Sequence, residues 1–197
     1  NGNNINVDEI KNRLDAGAFE RIEFIREPGK YPVGHLLNSC LRVSTGEFIA
    51  RIDADDFYGP AYLQHGIAFM KKKKADLIGK SDFFCYLEER DETFLIRRRK
   101  TTENAKAPVG TGSTIIFHRS VLSKVRFDAS THIGEDLDFF NAVREAGFSA
   151  YNAPPFDHIV MRKSVKDRHT WQSFDCFLFS DECLLLGRGL KKACCVL

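Results

Sequence analysis

The chain has 197 residues, which suits one domain or one domain with an extension, and its 43% hydrophobic and 28% charged content is ordinary for a globular protein. A formal net charge of +2 gives no reason to expect nucleic acid as a partner, and no run approaches the ~18 apolar residues of a membrane-spanning helix. Six cysteines, at 40, 85, 176, 183, 194 and 195, lack CxxC zinc spacing and read as thiols of a reducing compartment.

The first residues, NGNNINVDEI, are polar and carry no signal-peptide core. They do not begin with Met, so a fragment or processed form is expected. Residues 7–19 place Val7, Ile10, Leu14 and Ala18 on one helical face. RIEFI at 21–25 alternates like a strand, and EPGKYPVG breaks it with prolines and glycines. HLLNSCLRVS at 35–44 suits a helix, and EFIARI at 47–52 suits the next strand. Pro60 fits the first turn of a helix running to about Lys74, whose four closing lysines complement the helix dipole.

ADLIGKSDFFCYLEE reads as one or two strands and ETFLIRRRK as another, its arginines solvated. TTENAKAPVGTGS is a loop, STIIFH a strand and SVLSKVRF a short helix. THIGEDLDFFNAVREAG carries a helical stripe of Leu137, Phe140, Val143 and Ala146, with Gly147 as its C-cap. FSAYNAPPFDHIVMRK returns to extended chain. Strands alternating with helices indicate an α/β fold.

GEFIARIDADDFYGP carries apolar chain straight into Asp53, Asp55 and Asp56. Like charges that close repel, so a compensating cation or hydrogen bonds are implied. The cluster sits at the carboxyl end of a strand, where open α/β sheets bind ligands. Continued strand alternation points Asp53 and Asp55 to one side. Two oxygen donors on one side match a hard cation such as Mg²⁺, which takes one or two carboxylates plus phosphates. A calcium EF-hand from Asp53 fails, because Tyr58 and Gln64 stand where Gly and Glu are needed. IGKSD lacks the upstream glycine of a P-loop, GTGSTI lacks the third glycine of a dinucleotide fingerprint, and no GxSxG occurs. A plain helix-capping turn remains the structural alternative, although one Asp would suffice for that.

TGEFIARIDADDFYGPAYLQ, GTGSTIIFHRSVL and GEDLDFF, in that order, resemble the central segments of family 2 glycosyltransferases with the GT-A fold. The resemblance covers about residues 20–165. It implies a mixed, Rossmann-like sheet flanked by helices, a nucleotide-sugar donor (UDP-sugar as the family's usual case) and Mg²⁺ or Mn²⁺. Asp55 is then a metal ligand, Asp53 reaches the donor ribose or a metal-bound water, and Asp56 ligates the metal or caps the next helix. Asp136 corresponds to the catalytic base, with Glu135 beside it as a second catalytic candidate. As a base, Asp136 would give inversion at the sugar carbon. The bland reading of both is first-turn acids on a helix dipole.

The family often adds a histidine metal ligand from its C-terminal region, which offers His158 and His169. Arg162 or Arg168 could meet donor phosphate, and Trp171 could stack on a sugar or base. The glycosyltransferase domain is expected over 1–172, with a helical or poorly ordered tail over 173–197. DCFLFSDECLLLGRGL in that tail suits a docked helix or a membrane-surface contact. The closing CCVL has the form of a prenylation box, with Lys191 and Lys192 upstream.

Two nucleotide-binding strands that open the family's domain have no counterpart here, so strand 21–25 would expose an edge. Three consequences follow: a longer protein, pairing with itself or another chain, or an inactive fragment. The acceptor expected from the family is a saccharide or a lipid-linked one, and the location cytoplasmic or at the inner membrane face. Two other readings stay open. One is a truncated, non-catalytic domain that binds a partner or glycan. The other is a Mg²⁺-dependent nucleotidyltransferase, which has no need of the GED base.

Overall fold

A computed structural model of the chain describes residues 22–97, 110–131, 134–163 and 183–190. The first element is helix α1, Val33–Val43, followed by strands β1, Phe48–Ala50, and β2, Phe57–Tyr58. Helix α2, Tyr62–Lys73, leads to β3, Leu77–Gly79, β4, Phe83–Leu87, and β5, Glu92–Ile96. Strand β6 is Ile116–His118, helix α3 is Glu135–Glu145, and β7, Ala150–Asn152, and β8, His158–Arg162, follow it. Strand β9 is Cys183–Arg188. This is a mixed α/β fold of the GT-A-like kind, two mixed sheets flanked by helices.

The first sheet runs in the order β1-β6-β3-β7, with β3 and β7 parallel and the other pairs antiparallel. Successive side chains on its strands point to opposite faces, and both faces are covered. Leu77 and Phe117 face α1 and α3, joining Leu41, Phe139, Phe140 and Val143 in one core. Ile78 and Ile116 face α2, joining Tyr62 and Met70 in another. The α3 stripe is shifted from the expected one: Phe139, Phe140 and Val143 are buried, while Leu137 is 43% exposed. The shift brings the Phe139 ring flat onto Phe127 at 4.0 Å, burying more surface than Leu137 offers.

The second sheet runs β2-β8-β4-β5-β9, with only β4 and β8 parallel. Its last strand corrects the expectation of a helical tail, since residues 183–188 pair antiparallel with β5. The apolar run CLLLG is too short to distinguish helix from strand by period, and the open edge of β5 decides it. RIEFI is a second correction, because residues 22–27 form no strand. Among the described residues no strand lies beside them, and Ile22, Phe24 and Ile25 are each about two-fifths exposed. The four lysines do close α2 as expected, with Lys71, Lys72 and Lys73 in its last turn and Lys74 in the left-handed cap at φ 52°. Residues 7–19, the loop at 101–109, Arg168, His169, Trp171 and the CCVL end lie outside the described residues.

A buried lysine sits where the two sheets join. Lys80, just after β3, is 8% exposed, and its Nζ donates to Pro154 O at 2.5 Å beside the Tyr62 ring. Burial lowers its pKa from 10.5 to about 8, against the opposing pull of Asp157. The unfolded chain therefore holds this proton through a pH range in which the folded chain has released it. Stability contributed by Lys80 rises as pH climbs from about 8 toward 10.5. The whole rise is on the order of 3 kcal/mol. Burial raises the Cys85 thiol and the Tyr58 and Tyr62 phenols, which act oppositely at the upper end. The difference between wild type and Lys80→Met isolates the lysine. Relative to the variant, the wild-type urea midpoint should be lowest and unchanging well below pH 8, and should rise between pH 8 and 10. Parallel curves would remove Lys80 from the account.

Candidate functional site

The chain leaves β1 at Ala50 and turns instead of extending the ladder. Arg51 N–H still bonds Ile115 O at 2.9 Å, but Asp56 N–H closes back on Asp53 O at 3.4 Å. Strand alternation therefore does not arrange Asp53 and Asp55, which corrects that expectation. The reason lies in the partner chain segment. Beyond Ile115 it is wound into a single 3-10 turn, Gly112–Thr114, and offers no ladder. Tyr58 fixes the new geometry: its hydroxyl accepts from Asp53 N–H at 3.0 Å and donates to Ser113 O at 2.9 Å. Burial, with Asp56 and Asp53 close by, holds the phenol protonated well above its ordinary range.

Arg51 joins this turn to α3. Its Nε and Nη2 reach the two oxygens of Asp53 at 3.0 and 3.2 Å, and its Nη1 reaches Glu135 Oε1 at 3.0 Å. The two carboxylates hold the guanidinium charged, its pKa raised although burial pulls the other way. Part of the cation that the acidic cluster implied is thus supplied by the chain itself. Asp136, next to Glu135, is half-buried and accepts from Leu137 N–H through Oδ1 at 2.8 Å. Two glycines allow this meeting. Gly134 starts α3 at φ +92°, a conformation that favours glycine. A Cβ at Gly112 would lie 2.8 Å from Arg51 Nη1 and 3.0 Å from Asp136 Oδ2, so a side chain there would push on the ends of both.

Asp56 is turned the other way, into the second sheet. Its Oδ2 meets His158 Nε2 at 2.9 Å and its Oδ1 accepts from Met161 N–H at 3.2 Å. Ser113 Oγ lies 3.2 Å from the same His158 nitrogen. His158 is fully buried and Asp56 nearly so. These two expected metal ligands therefore bind each other. Asp55 is exposed on the turn. Arg162, expected at the donor, is 2% exposed on β8 opposite Leu87. It directly follows Met161, whose N–H bonds Asp56 Oδ1 at 3.2 Å.

The donor set can be tested against a divalent ion. No three His, Cys, Asp or Glu side chains lie together as a metal-ligating group among the described residues. That rules out a cage built wholly from them, but Mg²⁺ commonly takes one or two carboxylates and completes its shell with water and phosphate. Asp55 fits that role, while each Asp53 oxygen already accepts one N–H from Arg51. Sequence reasoning missed Arg51, Tyr58, Gly112 and Ser113. For Arg51 a signal was present: an arginine two residues before an acidic cluster is the nearest available counter-charge.

Part of this site falls within a stretch matched in known proteins. The model of the family described as "Glycosyl transferase family 2" matches residues 5–126, well over half of the chain. The chain belongs to glycosyl transferase family 2. The match includes the Asp-rich turn and Gly112 and ends before α3. A curated relative is the "Putative glycosyltransferase EpsE" of Bacillus subtilis (strain 168), 25% identical over 153 residues. The alignment covers 73% of this chain and 53% of the relative, so the chain spans about half the length of the protein it matches. No helix among the described residues is long and apolar enough to cross a membrane.

Proposed function

We propose that the chain transfers a sugar from a nucleotide-sugar to an acceptor hydroxyl, with inversion, between the Asp-rich turn and the first turn of α3. The observation that carries this reading is the bridge from Asp53 through Arg51 to Glu135, which sets Asp136 beside the turn. Asp136 takes the proton of the acceptor hydroxyl as its oxygen attacks the anomeric carbon. The bond from that carbon to the diphosphate breaks, and the nucleoside diphosphate leaves with the electron pair. A single displacement inverts the centre. Asp55 would hold Mg²⁺ or Mn²⁺, and the ion supplies charge stabilisation to the departing diphosphate. Asp53 would reach the donor ribose or a metal-bound water. A UDP-sugar is the donor class favoured by the family, and a saccharide or lipid-linked saccharide the acceptor class.

Isothermal titration of the full chain with UDP, GDP, dTDP and CDP, with and without Mn²⁺, tests the reading. Metal-dependent binding of at least one of them is expected. Failure of every nucleotide to bind, in either condition, would instead favour a non-catalytic domain that binds a partner or glycan. A screen of nucleotide-sugars for slow donor hydrolysis then names the sugar.

A further inference from the structure

We infer that Arg51 is a positioning residue that locks the Asp-rich turn to the first turn of α3, its guanidinium lying beside Gly112. The inference rests on the proposed transferase reading for its consequence, although the lock itself is a matter of geometry. Glu135 stands 84 positions from Arg51 in sequence, and three of the guanidinium's nitrogens are committed at once, two to Asp53 and one to Glu135. The centre and one end of the lock are sheltered, with the Arg51 side chain 14% exposed and Glu135 12%, while Asp53 at the other end is 33% exposed. The backbone of Arg51 is itself tied to Ile115, so the fork is anchored at its root as well as at its tips.

No other natural side chain does this. A planar guanidinium can meet one carboxylate with two parallel hydrogen bonds and still present a third donor to a second carboxylate. A lysine ammonium is a point donor on a flexible stem, able to approach one acid closely but not to fix the orientation of both. The lock has two effects. It offsets the repulsion among Asp53, Glu135 and Asp136, which the fold gathers around Gly112. It also holds Asp53 in one orientation and keeps Glu135, and with it the start of α3, at a fixed distance from the turn. Misplacement of a reacting group by about 1 Å can lower turnover roughly 10²-fold, so a lock of this kind acts on rate more than on donor affinity.

Two measurements on the full chain test the inference. The first needs no substrate: thermal melting of Arg51→Met, Glu135→Ala and the double variant. Coupled residues should make the double variant's fall smaller than the sum of the single falls, by roughly 2–8 °C. Additive falls would overturn the lock. The second is kinetic and uses Arg51→Lys, which keeps the charge and should stay folded. Turnover on the nucleotide-sugar found in the hydrolysis screen should drop roughly 10–100-fold, with the donor KM within about three-fold of wild type. Wild-type turnover in Arg51→Lys would overturn the positioning role. If wild type itself turns over no nucleotide-sugar, the transferase reading fails, and the melting cycle still decides whether the lock exists.

Discussion

Replacing Asp136 with Asn should lower turnover roughly 10²–10⁴-fold while leaving nucleotide binding and folding stability nearly unchanged. The carboxamide has almost the same shape and its oxygen can still accept from Leu137 N–H, the bond that Asp136 Oδ1 makes at 2.8 Å. What it cannot do is take a proton from an attacking hydroxyl near neutral pH. The helix keeps Glu135 and Asp138 in its first turn, so the dipole loses only one of three acids. That loss is worth about 0.3–1 kcal/mol. A purely structural acid would show the reverse pattern, a small fall in stability and intact turnover. Steady-state kinetics beside a urea melt separates the two outcomes, and near-normal turnover removes Asp136 from the base role.

The elements that were legible in the sequence are those whose apolar period is matched by local partners. Helix α2 and strands β3, β4 and β6 follow from their own residues, and so does the gathering of the Asp cluster at a strand end. Three features were not legible, each for a physical reason. The turn at Asp53–Asp56 depends on how the segment Gly112–Thr114 winds, far away in sequence. Leu184, Leu185 and Leu186 take up a strand because β5 presents an edge, which no periodicity in CLLLG encodes. Arg51 reads as the polar half of an alternating strand, and only its distant partner Glu135 reveals it as a bridge. The acidic cluster correctly signalled that a positive charge was needed. It did not signal that part of that charge was two residues upstream.

Removal of Asp56 should destabilise the chain by about 2–5 kcal/mol even when EDTA is present throughout. Its carboxylate only accepts hydrogen bonds, so the facing His158 Nε2 carries a proton and donates at 2.9 Å, while Met161 N–H donates to the other oxygen at 3.2 Å. Asp56→Ala leaves both donors without their acceptor, the His158 ring fully buried and Met161 partly so. Each stranded donor costs about 1–3 kcal/mol, and the Ser113 hydroxyl at 3.2 Å can relieve only one of them. The same bonds hold the Asp-rich turn against β8, so nucleotide binding should weaken along with stability. A role for Asp56 and His158 as metal ligands makes a different forecast. In that case the variant would match wild type in EDTA and differ from it only when Mn²⁺ is added. Urea midpoints of the two proteins in EDTA and in Mn²⁺ therefore tell a clamp from a coordination site, and a variant indistinguishable from wild type in EDTA would end the clamp reading.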